Sequence, residues 1–249
     1  MIKVGVAGAL GRMGRMACAA ISATQDLELI GGFARRFGGE RVAAHVDGVR
    51  SDAILYDDLG AFLAERPDVV VDLTVYPISR QVAQKAIEAG ACVIVGATGW
   101  QDADVRAFQD AVAGTKLGAM IVPNFAVGAV MLMRLAEIAA PHFRGVEIIE
   151  MHHDQKKDKP SGTARLTALR IERAAPNVGT VPIHSVRLPG LVAHQSVLFG
   201  ATGQTLELRH DSLARESFAD GILLAIRNVH RHPGLTIGLD SLLFGDSAP

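Results

Sequence analysis

The N-terminal segment constrains the fold most strongly, because an apolar run, a glycine-rich turn and a helix-like segment follow one another without interruption. Ile2–Ala7 is the apolar run, the turn Gly8-Ala9-Leu10-Gly11-Arg12-Met13-Gly14 comes next, and residues 15–21 have helical character. In such a unit, glycines let the backbone approach a pyrophosphate whose charge the helix N-terminus stabilises. The turn predicts a dinucleotide site, although its Gly-x-x-Gly-x-x-Gly spacing also fits a purely structural turn.

Short apolar runs continue to alternate with helix-like segments as far as residue 125. This alternation predicts a parallel, doubly wound sheet, in which the turns after the strands lie at the carboxyl edge where ligands bind. The predicted strands are Leu27–Phe33, Pro67–Thr74, Ala91–Val95 and Ala119–Val122, with helices predicted around 58–63, 82–90 and 103–112.

The residues after the second predicted strand bear on the choice of cofactor. An acidic residue at this point commonly binds the adenosine ribose of NAD, whereas a positive group accommodates a 2′-phosphate. Here the chain has Arg35 and Arg36 and no carboxylate, which favours NADPH because guanidinium groups match phosphate geometry. The alternative is that both arginines are solvated loop charges.

The pattern changes after a long apolar helix predicted over Val127–Ala140. Strand-like runs then dominate, and two alternating runs, Gln195–Gly200 and Gln204–His210, are joined by a short turn as in an antiparallel hairpin. The amphipathic segment Phe218–His230 predicts a helix that returns to the first domain. We therefore predict a dinucleotide-binding domain over 1–126, completed by 213–249, and a second domain over 127–212, with a hinge near Phe125 and Ala126.

The stretch from Glu150 to Ala164 carries the densest group of reactive side chains. A short β-branched run delivers His152 and His153, Lys156 follows, and Ser161-Gly162-Thr163 precedes a helix-like segment. Helix N–H groups, hydroxyls and a lysine together bind a carboxylate, and a histidine that titrates near neutrality transfers a proton. The alternatives are a helix cap beside a solvated turn, or a metal site, which the absence of a third ligand at suitable spacing disfavours.

Composition narrows the possible partners. The 249 residues are 49% hydrophobic and carry a net charge of -1, so no global field favours nucleic acid or an anionic membrane surface. No apolar run approaches the roughly 20 residues of a membrane span. Cys18 and Cys92 lie in apolar surroundings, which favours buried free thiols. We expect a soluble, cytoplasmic protein without metal.

The chain resembles the dihydrodipicolinate reductase family, and the matching motifs occur in family order across nearly its whole length. The motifs are the glycine turn 8–14, Asp72-Leu73-Thr74, Gly96-Ala97-Thr98-Gly99, Pro123-Asn124-Phe125-Ala126-Val127-Gly128, Glu150-Met151-His152-His153 with Lys156, Pro160-Ser161-Gly162-Thr163-Ala164, Ser185-Val186-Arg187-Leu188-Pro189-Gly190, Ala193-His194-Gln195, Phe199-Gly200 and Phe218-Ala219-Asp220-Gly221.

The resemblance implies an α/β protein with an N-terminal Rossmann-like doubly wound parallel sheet and a smaller α+β substrate and oligomerisation domain with a mixed sheet. It implies reduction of a cyclic dicarboxylate in lysine biosynthesis with NADPH, with NADH as the alternative cofactor, and a homotetramer formed through the second domain. By resemblance, His152 and Lys156 are catalytic, while His153, Lys156, Ser161, Gly162 and Thr163 bind substrate. The implied cofactor residues, together with the two arginines favoured above, are Gly8, Ala9, Leu10, Gly11, Arg12, Met13, Arg35, Arg36, Gly96, Ala97, Thr98, Val122, Pro123, Asn124 and Phe125.

Several positions depart from the family pattern. Lys159 precedes Pro160, Asp154-Gln155 follows the histidine pair, and Arg35 and Gln204 replace residues that are commonly acidic. The alternatives are therefore a related two-domain reductase of another cyclic imine or oxo-acid, and a non-catalytic NADPH sensor, which would have no need of the paired imidazoles.

Overall fold

The computed structural model describes residues 1–245 and divides the chain into two compact units. The first contains Met1–Phe125 and the described residues from Phe218 to Gly245, and the second is Ala126–Ser217. Residues 213–217 therefore belong with the second unit, where the Ser217 hydroxyl donates to the Ser212 hydroxyl at the end of the last strand of that unit.

A parallel sheet forms the centre of the first unit. Among the described residues its seven strands lie in the order β11-β6-β5-β4-β1-β2-β3. Strand order therefore reverses between β1 and β4, and ligands of such sheets bind at this switch point. The strands are β1 Ile2–Ala7, β2 Leu27–Phe33, β3 Ile54–Tyr56, β4 Val69–Asp72, β5 Cys92–Val95, β6 Gly118–Ile121 and β11 Gly234–Ile237.

Helices connect these strands, and apolar residues of both fill the core of the unit. The helices are α1 Arg12–Ser22, α2 Leu59–Ala64, α3 Ile78–Glu88, α4 Asp102–Ala113, α7 Ala219–Asn228 and α8 Asp240–Phe244. β4 and β5 are buried along their whole length, which explains their uninterrupted apolar sequences. Cys18 and Cys92 are buried free thiols in this unit.

The described residues from Phe218 to Gly245 belong to the first unit. α7 buries Ile222, Ala225 and Ile226 and contacts α1. β11 then pairs in parallel with β6 and adds an edge strand to the sheet. None of the helices within residues 1–245 is long and apolar enough to cross a membrane.

The second unit is a four-stranded mixed sheet with two long helices. The strands lie in the order β10-β9-β7-β8, with β7 parallel to β8 and antiparallel to β9. The predicted hairpin is confirmed as β9 and β10. The elements are α5 Val127–Ala139, β7 Gly145–His152, α6 Gly162–Ala174, β8 Ile183–Arg187, β9 Ala193–Ala201 and β10 Gln204–Ser212. The predicted fold class is confirmed for both units.

Candidate active site

The glycine turn lies at the switch point of the parallel sheet. Ala7 at the end of β1 pairs with Asp72 at the end of β4, so the turns that follow them adjoin. Gly8 has a φ of 79°, and a Cβ there would stand 2.7 Å from the Leu73 carbonyl oxygen. Only glycine combines this left-handed conformation with so close an approach.

Helix α1 begins directly at this turn and packs tightly against it. A Cβ at Gly14 would lie 2.0 Å from the Gly8 carbonyl oxygen, so the third glycine lets the helix approach the turn. Gly11 is the N-cap, and no side chain caps the helix there. An uncapped helix N-terminus beside a glycine turn provides N–H donors and a positive dipole end, which fit a pyrophosphate.

The two arginines predicted to select the cofactor lie near the same edge. Phe33 ends β2 and pairs with Ala7, so the segment that carries Arg35 and Arg36 leaves the sheet beside the glycine turn. Both guanidinium-bearing residues are exposed. Two exposed positive charges at this edge could pair with an anionic ligand.

The remaining cofactor predictions divide into surface and buried positions. Ala9, Val122 and Phe125 are buried, so any contact that they make with a ligand would come from backbone groups rather than side chains. A Cβ at Gly96 would lie 2.7 Å from the Phe125 ring, which shows that this glycine serves packing after β5. Leu10, Gly11, Arg12, Met13, Ala97, Thr98, Pro123 and Asn124 are exposed or partly exposed.

Glu150 is the centre of the reactive cluster in the second unit. It lies on the face of β7 that also buries Val146 and Ile148, and it is fully buried. Arg187, from the end of β8, pairs with both carboxylate oxygens at 2.7 and 2.9 Å. Burial opposes ionisation, but the hydrogen bonds, led by those from Arg187, outweigh it and hold the pKa of Glu150 below its usual value.

His152 is the second member of the cluster. Its Nδ1 lies 2.5 Å from Glu150 Oε2, and its side chain is 14% exposed. Burial lowers the pKa of His152, and the charges of Lys156 and Arg187 act in the same direction, while Glu150 opposes them. The net pKa of His152 lies below its ordinary value, so the imidazole of the free protein is more readily deprotonated than a solvated one.

Lys156 lies in the loop between β7 and α6, where it has a partner that the sequence analysis did not anticipate. Its Nζ contacts Asp158 Oδ1 at 2.8 Å. This ion pair holds the pKa of Asp158 below its usual range. The Asp158 backbone carbonyl accepts a hydrogen bond of 2.8 Å from Arg187, which joins the loop to the buried carboxylate.

The Ser-Gly-Thr turn forms the start of α6. The Ser161 hydroxyl oxygen accepts from the Ala164 N–H at 3.1 Å, so the predicted cap is confirmed. The Ser161 N–H donates to Glu150 Oε1 at 3.3 Å. Gly162 is exposed, and a Cβ there would meet no atom within 4 Å among the described residues. Packing therefore does not require this glycine, and open space adjoins the helix N-terminus.

The structure thus brings His152, Lys156 and Ser161 together around a carboxylate and a guanidinium that sequence reasoning did not assign. His153 is partly buried after the end of β7, and Thr163 lies in the first turn of α6. Glu150 could have been found, because strand alternation places it on the same face as apolar residues. The sequence around Arg187 does not show that this residue reaches the cluster, because its position beside Glu150 depends on the pairing of β7 with β8.

All the departures from the family pattern except Arg35 lie on the surface of this unit. Asp154, Gln155 and Lys159 are exposed residues of the loop before α6, and Gln204 begins β10. Among residues 1–245, no group of three or more His, Cys, Asp or Glu side chains could hold a metal ion.

Comparison with known proteins identifies relatives for both halves of the chain. The family model for the N-terminus of dihydrodipicolinate reductase matches residues 2–125, and the model for the C-terminus matches residues 128–243. The 4-hydroxy-tetrahydrodipicolinate reductase of Geobacillus thermodenitrificans is 41% identical over 97% of this chain and 99% of its own length. The enzyme of that name from Bacillus velezensis is 40% identical over 97% and 98%.

A solved structure agrees with these relatives in fold as well as in sequence. Dipicolinate-bound dihydrodipicolinate reductase from Paenisporosarcina sp. TG-14 has a TM-score of 0.85 and is 34% identical to this chain. The match covers 97% of this chain and 99% of that one. Because family models match both halves and relatives above 30% identity extend over nearly the full length, the chain belongs to the dihydrodipicolinate reductase family.

Proposed function

We propose that this protein reduces 4-hydroxy-tetrahydrodipicolinate, or the dihydrodipicolinate formed from it, to tetrahydrodipicolinate with NAD(P)H, in the diaminopimelate route to lysine. The observation that carries the proposal is the arrangement in the second unit, where His152, Lys156 and the N-terminus of α6 surround the Glu150–Arg187 pair. Cations and helix N–H groups suit a small dicarboxylate, and an imidazole beside them suits proton transfer.

The substrate carboxylates are the groups that this cluster would bind. Ser161, Gly162 and Thr163 form the first turn of α6, where backbone N–H groups and the helix dipole stabilise negative charge. Lys156, 23% exposed and positioned by Asp158, supplies an ammonium group, and His153 a further donor. The open space at Gly162 lets a planar acid approach the helix N-terminus without meeting a side chain.

The protonation step belongs to His152. When bound, the nicotinamide supplies a hydride to a ring carbon of the substrate, and the adjacent position must then gain a proton. A doubly negative substrate raises the proton affinity of a nearby imidazole, so His152, neutral in the free protein, takes up a proton on binding and donates it during reduction. Lys156 stabilises the charge that develops on the acid.

The cofactor would be held at the carboxyl edge of the first sheet. The turn from Gly8 to Met13 and the α1 N-terminus suit the pyrophosphate, and the segments 96–98 and 122–125 follow strands that end at the same edge. Arg35 and Arg36 support a preference for NADPH over NADH, because each can pair with a 2′-phosphate.

Assembly and location complete the proposal. We expect a homotetramer that uses the mixed sheet of the second unit, since β10 is an edge strand with mostly exposed side chains. A cytoplasmic location agrees with two cysteines that remain free thiols.

A spectrophotometric assay with freshly prepared dihydrodipicolinate tests the proposed reaction. We expect absorbance at the reduced-nicotinamide band to fall only when protein and substrate are both present. NADPH oxidation with other cyclic imines or oxo-acids, but not with dihydrodipicolinate, would instead support a related reductase. NADPH binding without oxidation of any such substrate would support a sensor.

A further inference from the structure

We propose that Glu150 is a positioning residue that fixes the ring tautomer of His152, and that Arg187 couples this carboxylate to the loop carrying Lys156. The inference rests on the proposed reductase activity, because it concerns the nitrogen through which His152 exchanges its proton. It assigns roles to two buried side chains, one on β7 and one on β8, whose contacts reach both proposed catalytic residues.

The hydrogen bonds of Glu150 leave one tautomer for His152. An ionised carboxylate only accepts, so Nδ1, 2.5 Å from Oε2, must carry the shared proton. A neutral imidazole has a single N–H, and therefore Nε2 holds the free lone pair. Nε2 is then the nitrogen that takes up a proton and returns it, while Nδ1–H remains directed at Glu150.

The carboxylate is itself held ionised and immobile. Oε1 accepts from Arg187 and from the Ser161 N–H, and Oε2 accepts from Arg187 and His152. Each oxygen thus receives at least two hydrogen bonds, and the Ser185 side chain adds a further one to the carboxylate. Protonation or rotation of Glu150 would break at least one of these bonds, so the imidazole has a fixed acceptor.

Arg187 extends the same network to the lysine loop. One of its nitrogens donates to Glu150 Oε1 at 2.7 Å and also to the Asp158 backbone carbonyl at 2.8 Å. The Asp158 side chain in turn pairs with Lys156 at 2.8 Å. His152 and Lys156, on a strand and a loop, are therefore positioned by one continuous set of hydrogen bonds.

A second glutamate–histidine pair, whose glutamate also lies on β7, provides the matched comparison. Glu147 contacts His184 across β7 and β8 at 2.7 Å, but the two side chains are 59% and 55% exposed. An exposed pair of this kind contributes little, because water competes for its hydrogen bond and salt screens its charges. Glu147→Gln makes the same chemical change as Glu150→Gln, but at an exposed glutamate instead of a buried one.

The kinetic test compares Glu150→Gln with Glu147→Gln. With an amide nitrogen facing Nδ1, His152 accepts there and carries its proton on Nε2, so we expect kcat to fall at least about 100-fold. KM for the substrate should change less than about threefold. The pH limb of kcat that reports His152 should move to lower pH, because the carboxylate that stabilised the imidazolium is gone. Glu147→Gln should match the wild type.

A second measurement does not depend on turnover. In ¹⁵N spectra of histidine-labelled protein, wild-type His152 should carry its proton on Nδ1 at a pH above its pKa, and Glu150→Gln should move it to Nε2. The double variant Glu150→Gln/Arg187→Gln removes both buried charges and provides the same comparison if the single variant does not fold.

The inference is overturned if wild-type His152 carries its proton on Nε2, or if the kcat loss in Glu150→Gln leaves the pH limb and tautomer unchanged. A wild-type protein that turns over no dihydrodipicolinate contradicts the proposed function instead, while the ¹⁵N spectra still decide the tautomer.

Discussion

Replacing Gly162 by alanine should weaken substrate binding without loss of stability. The new Cβ would meet no described atom within 4 Å, and the residue opens α6 with no positive φ. Gly→Ala at a compatible position stabilises by about 0.4–1 kcal/mol, mainly by restricting the unfolded chain. A methyl group in the space that the substrate carboxylate occupies would reduce the free energy of substrate binding by about 1–3 kcal/mol, which corresponds to a rise of about 5- to 150-fold in KM.

The Gly162→Ala variant is informative because its expected effects on protein stability and on substrate affinity have opposite signs. We expect the melting temperature to stay the same or rise, while KM for the substrate and Kd for pyridine-2,6-dicarboxylate both increase. Gly114→Ala is the matched control, because Gly114 ends α4 with a φ of -80° and a Cβ there also meets no described atom within 4 Å. If a stable Gly162→Ala protein bound the dicarboxylate with unchanged affinity, the substrate carboxylate would not bind at the α6 N-terminus.

Four further outcomes can be measured. His152→Gln should lower kcat by about 100-fold or more with a much smaller rise in KM, and an equal loss of NADPH affinity in titrations would show that its role is misassigned. Arg35→Glu should raise KM for NADPH more than for NADH, and equal changes would make the arginine a bystander. Gly14→Ala should abolish NADPH binding that calorimetry can detect, because the new Cβ would lie 2.0 Å from the Gly8 carbonyl oxygen and would push α1 away from the glycine turn. Normal NADPH affinity in this variant would contradict the close packing of α1 against the turn. Pyridine-2,6-dicarboxylate should bind with uptake of a proton by His152, and its affinity should fall as pH rises above the lowered pKa of that histidine. Calorimetry in buffers of different ionisation enthalpy measures the proton uptake, and an affinity independent of pH would contradict the role of His152.

The fold of the first unit was predictable because its sequence pattern directly reflects which residues are buried and where the backbone makes close approaches. β4 and β5 are buried on both faces, so continuous apolar runs identify them as central strands of a parallel sheet. Gly8 and Gly14 are required by backbone approach, and such positions stand out in a sequence. By contrast, β3 has only three residues, Ile54–Tyr56, too short for a period to be recognised.

The network in the second unit was less predictable, because it depends on strand pairing and on choices between partners. Glu150 and Arg187 are 37 residues apart, and the register of β7 against β8 brings them together. Local sequence does not fix that register. Lys156 lies two residues from Asp158, but charge pattern alone does not distinguish an ion pair within the loop from two solvated side chains. The pKa of His152 likewise depends on burial that no motif specifies.

A crystal structure with NADPH and pyridine-2,6-dicarboxylate bound together would show directly whether the α6 N-terminus binds the substrate. We expect one carboxylate at the backbone N–H groups of the α6 N-terminus, with Lys156 and His152 Nε2 directed at the ligand and the nicotinamide ring facing it. A dicarboxylate bound away from Ser161, Gly162 and Thr163, or a nicotinamide turned from the ligand, would rule out the proposed site.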